Sequence, residues 1–299
     1  MRVPAALAVS SLVLISAIGV LHAQRPFKEY PAIEYTNFPL PPDYQRNAEW
    51  VRARLRYPDI YGYPNRPWAT NRNGESIGYW TMDYPRSDRH LLEGVRRLTR
   101  IDTRSTEQVV DLDGTDDIYN WPMLYAVEPG HWKLPDDQAK QLREFILRGG
   151  FFMCDDFHGD EQWPDDNAAA SFNAGRNGFL NEWESFMNSM SKVFPDREVE
   201  EIPNTDPIFH TLYDLDERFQ VPGSDNYFRY HITYEKGPTG KVPHWRCIRD
   251  EKGRIIVAIC HNMDLGDGWE NSDDPKYAEK WASLAYRVGM NYFVYDLTH

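Results

Sequence analysis

Two adjacent carboxylates and an imidazole, Asp155, Asp156 and His158, close the segment LPDDQAKQLREFILRGGFFMCDDFHG at residues 134–159. Within four residues this set offers oxygen and imidazole donors for a divalent ion, or groups that exchange protons with a substrate. Glu128 and His131 in AVEPGHW follow the apolar run MLYAV. There Pro129-Gly130 forces a turn that folds the imidazole back toward the acid, or lets Glu128 simply receive backbone N–H groups. His261, Asn262, Asp264 and Asp267 in ICHNMDLGDGWE follow a third run, IIVAIC. Their spacing lacks the EF-hand order of ligands, and Asx-turns explain the same letters. On a continuing strand Asp155 and Asp156 point to opposite faces, so one of them alternatively caps a turn.

These residues divide by chemistry. Asp156, Glu128 and His261 are the candidates for proton transfer, and Asp155, Asp156 and His158 are the candidate ligands of a divalent metal ion, the one cofactor the pattern suggests. His131, Trp132, Asn262, Asp264, Trp269, Trp80 and Asp83 are candidates for lining the substrate. Of the ten tryptophans and eighteen tyrosines, Trp80, Trp132, Trp163 and Trp269 stand in polar loops rather than at core spacing. Aromatic faces there could line a cleft, although filling the core is the commoner use.

The elements that position these groups follow from apolar periodicity. The alternation WVRARLRY at 50–57 predicts a first strand with a basic face that is solvated or paired. Leu91, Leu92, Val95 and Leu98 form one helical stripe, with Asp83 or Ser87 available as a cap. Strands are expected over 107–112, 121–127 and 151–154, and a helix over 136–148 that Gly149 stops. Connections of this length suit parallel crossovers better than hairpins. A helix over 181–194, an edge strand over 198–202, a hairpin over 244–260 and a last helix over 275–295 complete the chain. The polar stretch 159–181 reads as a long excursion near the acids. The expected fold is α/β, a three-layer arrangement with a mostly parallel sheet flanked by helices, whose carboxyl ends carry the site.

Residues 1–23 place Arg2 before an apolar stretch that ends in small Ala23, a secretory signal pattern. The expectation is an exported, periplasmic or extracellular protein with no membrane span after cleavage; retention as an anchor is the alternative. A Pro- and Tyr-rich arm over 24–49 then precedes one domain over 50–299. A net charge of −13 disfavours nucleic acid and anionic membrane faces as partners. Three cysteines, Cys154, Cys247 and Cys260, are too few for a disulfide framework, and Cys154 and Cys260 sit inside apolar runs. No Walker loop, G-x-G-x-x-G turn, G-x-S-x-G elbow or H-E-x-x-H helix appears.

The ordered set WTMDYPRSD, YAVEPGHW, RGGFFMCDDFHG, NEWESF, DPIFH, ICHNMDLGDGWE and AYRVGMNYFVYDLTH resembles the bacterial domain of unknown function 4159 family over roughly 50–299. The resemblance implies a flavodoxin-like sheet similar to class I glutamine amidotransferases and ThuA-like proteins, without implying a reaction. Relative to the ThuA-like pattern, Gly149-Gly150 leads to Asp156 and Gly253-Arg254-Ile255 leads to His261. Class I amidotransferases carry a nucleophilic Cys where this chain has Asp156, and Cys154 falls two residues early, so glutaminase activity is not expected. Two readings follow. One is a metal-assisted hydrolase acting on a carbohydrate or envelope component. The other is a non-catalytic module that holds a glycan or an envelope protein.

Overall fold

The computed structural model describes residues 25–32, 39–60, 78–164 and 179–299. The expected signal segment at 1–23 and most of the excursion at 159–181 lie outside them. Seven strands form the main sheet in the order β2-β1-β3-β4-β9-β8-β7. The strands are β1 (Ala53–Arg56), β2 (Gln108–Asp111), β3 (Met123–Val127), β4 (Phe151–Asp155), β7 (Glu200–Glu201), β8 (His244–Arg249) and β9 (Ile255–His261). The first five in that order run parallel; β8 pairs antiparallel with β9, and β7 antiparallel with β8. A separate antiparallel pair joins β5 (Trp163–Pro164) to β6 (Phe179–Leu180). The chain is thus an α/β protein with a mostly parallel sheet.

Side chains of the central strands alternate between two cores. Leu124, Ala126, Phe152 and Cys154 face α2 (Asp136–Leu147) and α3 (Glu182–Val193), while Tyr125, Val127, Phe151 and Met153 face α1 (Arg86–Leu98) and α6 (Glu279–Thr298). β3, β4 and β9 are buried along their whole length, as parallel strands covered on both faces must be. α2 ends where Gly149 adopts φ +110°, the conformation a side chain resists. Asn181 caps α3 by accepting from the Glu184 N–H at 2.9 Å.

Several expectations change. Leu98 is exposed at the last turn of α1, so the stripe stops at Val95. Neither Asp83 nor Ser87 caps α1 with its side chain, and the helix starts from Pro85. The basic face of β1 is paired and, for Arg52 and Arg54, buried. Arg54 donates to Asp88 at 2.8 Å, to the carbonyls of Trp80 and Met82 at 3.0 and 2.9 Å, and to Ser87. That guanidinium fixes the turn that carries Asp83. All three cysteines are free and buried. Part of the arm lies against the domain: Ala32 joins the core, and the Tyr30 N–H donates to the Tyr84 hydroxyl. No described helix is long and apolar enough to cross a membrane.

Candidate functional site

β3, β4 and β9 are neighbours, and each ends in the same way. The residue after the strand, Glu128, Asp156 or Asn262, takes a left-handed backbone with φ of 50°, 58° and 63°. Asp83, on the turn held by Arg54, does likewise at 57°. Left-handed backbone costs roughly 1–2 kcal/mol for a residue with a Cβ, and such outliers gather where side chains must be aimed. Strand β4 stops at Asp155, so Asp156 does not take the opposite face of a continuing strand; the turn redirects it.

Asp156 meets Asp83 and Asp264. One ligand-capable oxygen from each lies within 4.8 Å of the others, and all three residues are buried, at 5, 3 and 4 % exposure. Burial, followed by the charges of Glu128, Asp83, Glu235 and Asp155, drives the Asp156 carboxyl well above its usual range. Burial and the neighbouring Asp156 and Asp267 do the same to Asp264. Asp264 caps the short α5 (Leu265–Glu270) by accepting from the Asp267 N–H at 2.6 Å, the Asx role its sequence allowed. Among the described residues the hydrogen bond to Asp156 comes from His158 Nε2, at 3.1 Å. Gly266 approaches Asp83 and the Tyr125 hydroxyl so closely that a Cβ there would collide with them.

A second group adjoins the first. His131 Nδ1 is 2.8 Å from Glu128 Oε2, on the short 3-10 turn Pro129–His131 that was expected to fold it back. Its ring stacks on Tyr79, with centroids 3.7 Å apart. Glu182, the first residue of α3, lies 3.8 Å from His131 Nε2, accepts from the His158 N–H at 2.7 Å and pairs with Lys236 Nζ at 3.1 Å. The Glu182 charge, then those of Glu128 and Glu235, raises the Lys236 pKa against the effect of burial.

Three of the sequence candidates play other parts. Asp155 lies beneath the cluster, accepting from the Tyr125 hydroxyl at 3.1 Å and the Gly266 N–H at 2.9 Å, and burial pushes it up to about 7. It braces α5 rather than joining Asp156 and His158 in a ligand set. His261 turns toward β8: Nδ1 accepts from Arg246 at 3.1 Å, which leaves Nε2–H to donate to the Gly159 carbonyl at 3.1 Å. Burial and the Arg246 charge depress it to about 2, so it is a neutral structural imidazole and not the base of this cluster. Asn262 ties loops together, accepting from the Gly159 N–H and donating to the carbonyls of Thr239 and Val242. Trp80, Trp132 and Trp269 present almost no open face: they are 2, 1 and 0 % exposed, and Trp132 is stacked between Phe152 and Phe186. Trp132 does border a surface cleft of about 750 Å³, walled further by Lys133, Gln162, Asn181, Glu184 and Asn188, which contains none of the clustered acids.

Glu182, Glu235 and Lys236 escaped the sequence reading. Glu182 sits in NEWESF directly after the capping Asn181, where an acid serves a helix dipole anyway. Glu235 and Lys236 belong to an irregular stretch with no period.

The family described as Domain of unknown function (DUF4159) matches residues 70–297. The chain belongs to the DUF4159 family. Every clustered acid named above lies within the DUF4159 match, as do both histidines beside them and Lys236. Comparison with curated proteins finds no match.

Proposed function

We propose that Asp83, Asp156 and Asp264 hold a divalent cation, and that this DUF4159 protein is an exported, metal-assisted hydrolase of a carbohydrate or other envelope component. The observation that carries the reading is the convergence of three buried carboxylates whose mutual repulsion only a proton or a cation relieves. An all-oxygen donor set suits Mg²⁺, Mn²⁺ or Ca²⁺ better than Zn²⁺. Such an ion lowers the pKa of bound water. The Glu128–His131 pair is the proton acceptor we assign beside it, because Glu128 is the foremost of the negative neighbours acting on Asp156.

The strand order 2-1-3-4-9 supports the flavodoxin-like fold expected from the family resemblance, with Glu128 at the end of β3, beside the point where the order reverses. Cys154 supports the loss of any amidotransferase chemistry: it is wholly buried, and burial drives its thiol pKa well up, away from the exposed thiolate such a reaction needs. A glycan-binding module would need open aromatic faces, and the three buried tryptophans do not supply them.

Calorimetric titration of Mg²⁺, Mn²⁺ and Ca²⁺ into chelator-treated protein tests the cation. One ion per chain, lost in both Asp156→Asn and Asp264→Asn, is the expected result. Absence of binding at millimolar concentration, or binding that both variants retain, overturns the reading. A hydrolase screen with and without the bound ion then tests the reaction.

A further inference from the structure

The clustered acids are almost sealed, yet the segment above them is packed like a surface. None of residues 224–239 is buried, and this stretch includes the short helix α4 (Ser224–Tyr230). Helix α4 rests Tyr227 and Phe228 edge-on against Tyr277, and Tyr227 against Trp281; the stretch after it, residues 231–239, reaches toward the acids at one turn. Glu235 adds its charge to Asp156, and Lys236 pairs with Glu182 at 3.1 Å. Lys236 and Gly237 both have left-handed backbone, at φ 51° and 73°, which turns the chain down onto Gly159. Further ties of residues 231–239 are few: Thr239 Oγ1 accepts from the Asp160 N–H at 3.3 Å, the Thr239 carbonyl accepts from Asn262 Nδ2 at 2.9 Å, and Thr233 donates to Gln220 at 2.9 Å. Both ends of the whole segment 224–239 are firmly held, by the Ser224 N–H on Asp267 and by the Gly240 carbonyl on Gln220 at 2.7 Å.

We propose that residues 231–239 form a lid over the carboxylates, and that Glu182 is the positioning residue that latches it through Lys236. Glu182 is 2 % exposed and touches three separate loops: His131 after β3, His158 after β4, and the lid. A substrate reaching Asp156 must displace residues 231–239, none of them buried, whose charged inward contact is the Lys236–Glu182 pair. Segments of this kind open at far lower free energy than the sheet beneath them. The lid rests on reading the carboxylates as a site, and not on which ligand they take.

Carbodiimide coupling of glycine ethyl ester to the full-length protein, read by peptide mass spectrometry, tests it without any ligand. Lys236→Gln and Glu182→Gln should each speed labelling of Asp156 and Asp264 about fivefold, the scale of one partly exposed ion pair. Glutamine at 182 keeps an acceptor for the His158 N–H, so the loss isolates the charge. The double variant should add nothing further, because both changes remove one interaction. Lys236→Arg should restore the slow rate. A disulfide from the pair Asp160→Cys and Thr239→Cys should slow labelling below wild type until it is reduced. Glu107, buried elsewhere against Arg89, is the internal control and should not change. Equal labelling of Asp156 and Asp264 in all variants overturns the lid, and Glu107 rising in step with them overturns the latch. A failed cation titration with intact labelling differences would sink the metal and leave the lid standing.

Discussion

Asp156 owes its place to a backbone turn that most residues avoid, and that turn decides what the side chain can do. The strand-end acids were legible in the sequence because three apolar runs stop at them. Their directions were not. Whether Asp155 or Asp156 faces the cluster depends on a left-handed φ at one residue, and the fate of His261 depends on Arg246, a partner from the neighbouring antiparallel strand. Raised carboxyl pKa values also carry a sign. Asp156 and Asp264 hold protons in the folded state that they release in the unfolded one, so their contribution to stability is present at low pH and lost as pH rises. His261, depressed by burial, acts oppositely but only below its ordinary value of about 6.5. Above that value His261 no longer opposes the acids. The melting temperature of chelated protein should therefore fall between about pH 6.5 and 8. Asp156→Asn should flatten the fall and raise the value at pH 8 by about 2–4 °C, readable by calorimetry. His261→Ala should leave cation affinity unchanged while costing about 1–3 kcal/mol in urea denaturation, since Arg246 and the Gly159 carbonyl lose a buried partner.

At the scale of elements, the apolar runs located each central strand to within a few residues, and the helix expected over 181–194 is α3, Glu182–Val193. Leu98 misled because it is the last residue of α1 and stands exposed at the helix end. The loop tryptophans misled because a turn following a strand can fold under a helix distant in sequence, as Trp132 does against Phe186 of α3. Arg54 is the element-level counterpart of the site: one guanidinium on β1 holds the carbonyls flanking the Asp83 turn and pairs with Asp88 inside the core. Arg54→Ala should cost about 3–5 kcal/mol, because it breaks one of the two buried ion pairs of Asp88, leaving Arg52 at 2.6 Å as the other, and strips the Trp80 and Met82 carbonyls of their donor. Cation binding should weaken with it as Asp83 loses its support. Asn181→Ala is the contrasting case. It should cost about 1 kcal/mol as a lost cap and leave cation binding near wild type, both measurable on one preparation.

For the molecule as a whole, what sequence periodicity could not supply was the meeting of distant pieces: a turn before α1, the first residue of α3 and an irregular stretch near residue 235 converge on one strand end. No local pattern encodes that convergence, nor the order of the central strands, which are apolar throughout and look the same from either neighbour. The pairing of β4 with β9 has a consequence for how the molecule is made. Phe152 sits opposite Val257, so the central seam joins segments roughly a hundred residues apart, and closing so long a loop is entropically late. Asp264 arrives with β9, which means the carboxylate trio does not exist until that seam has zipped. A bound ion should then leave the refolding rate almost untouched and act on the reverse step alone, lengthening the lifetime of the native state without hastening its birth.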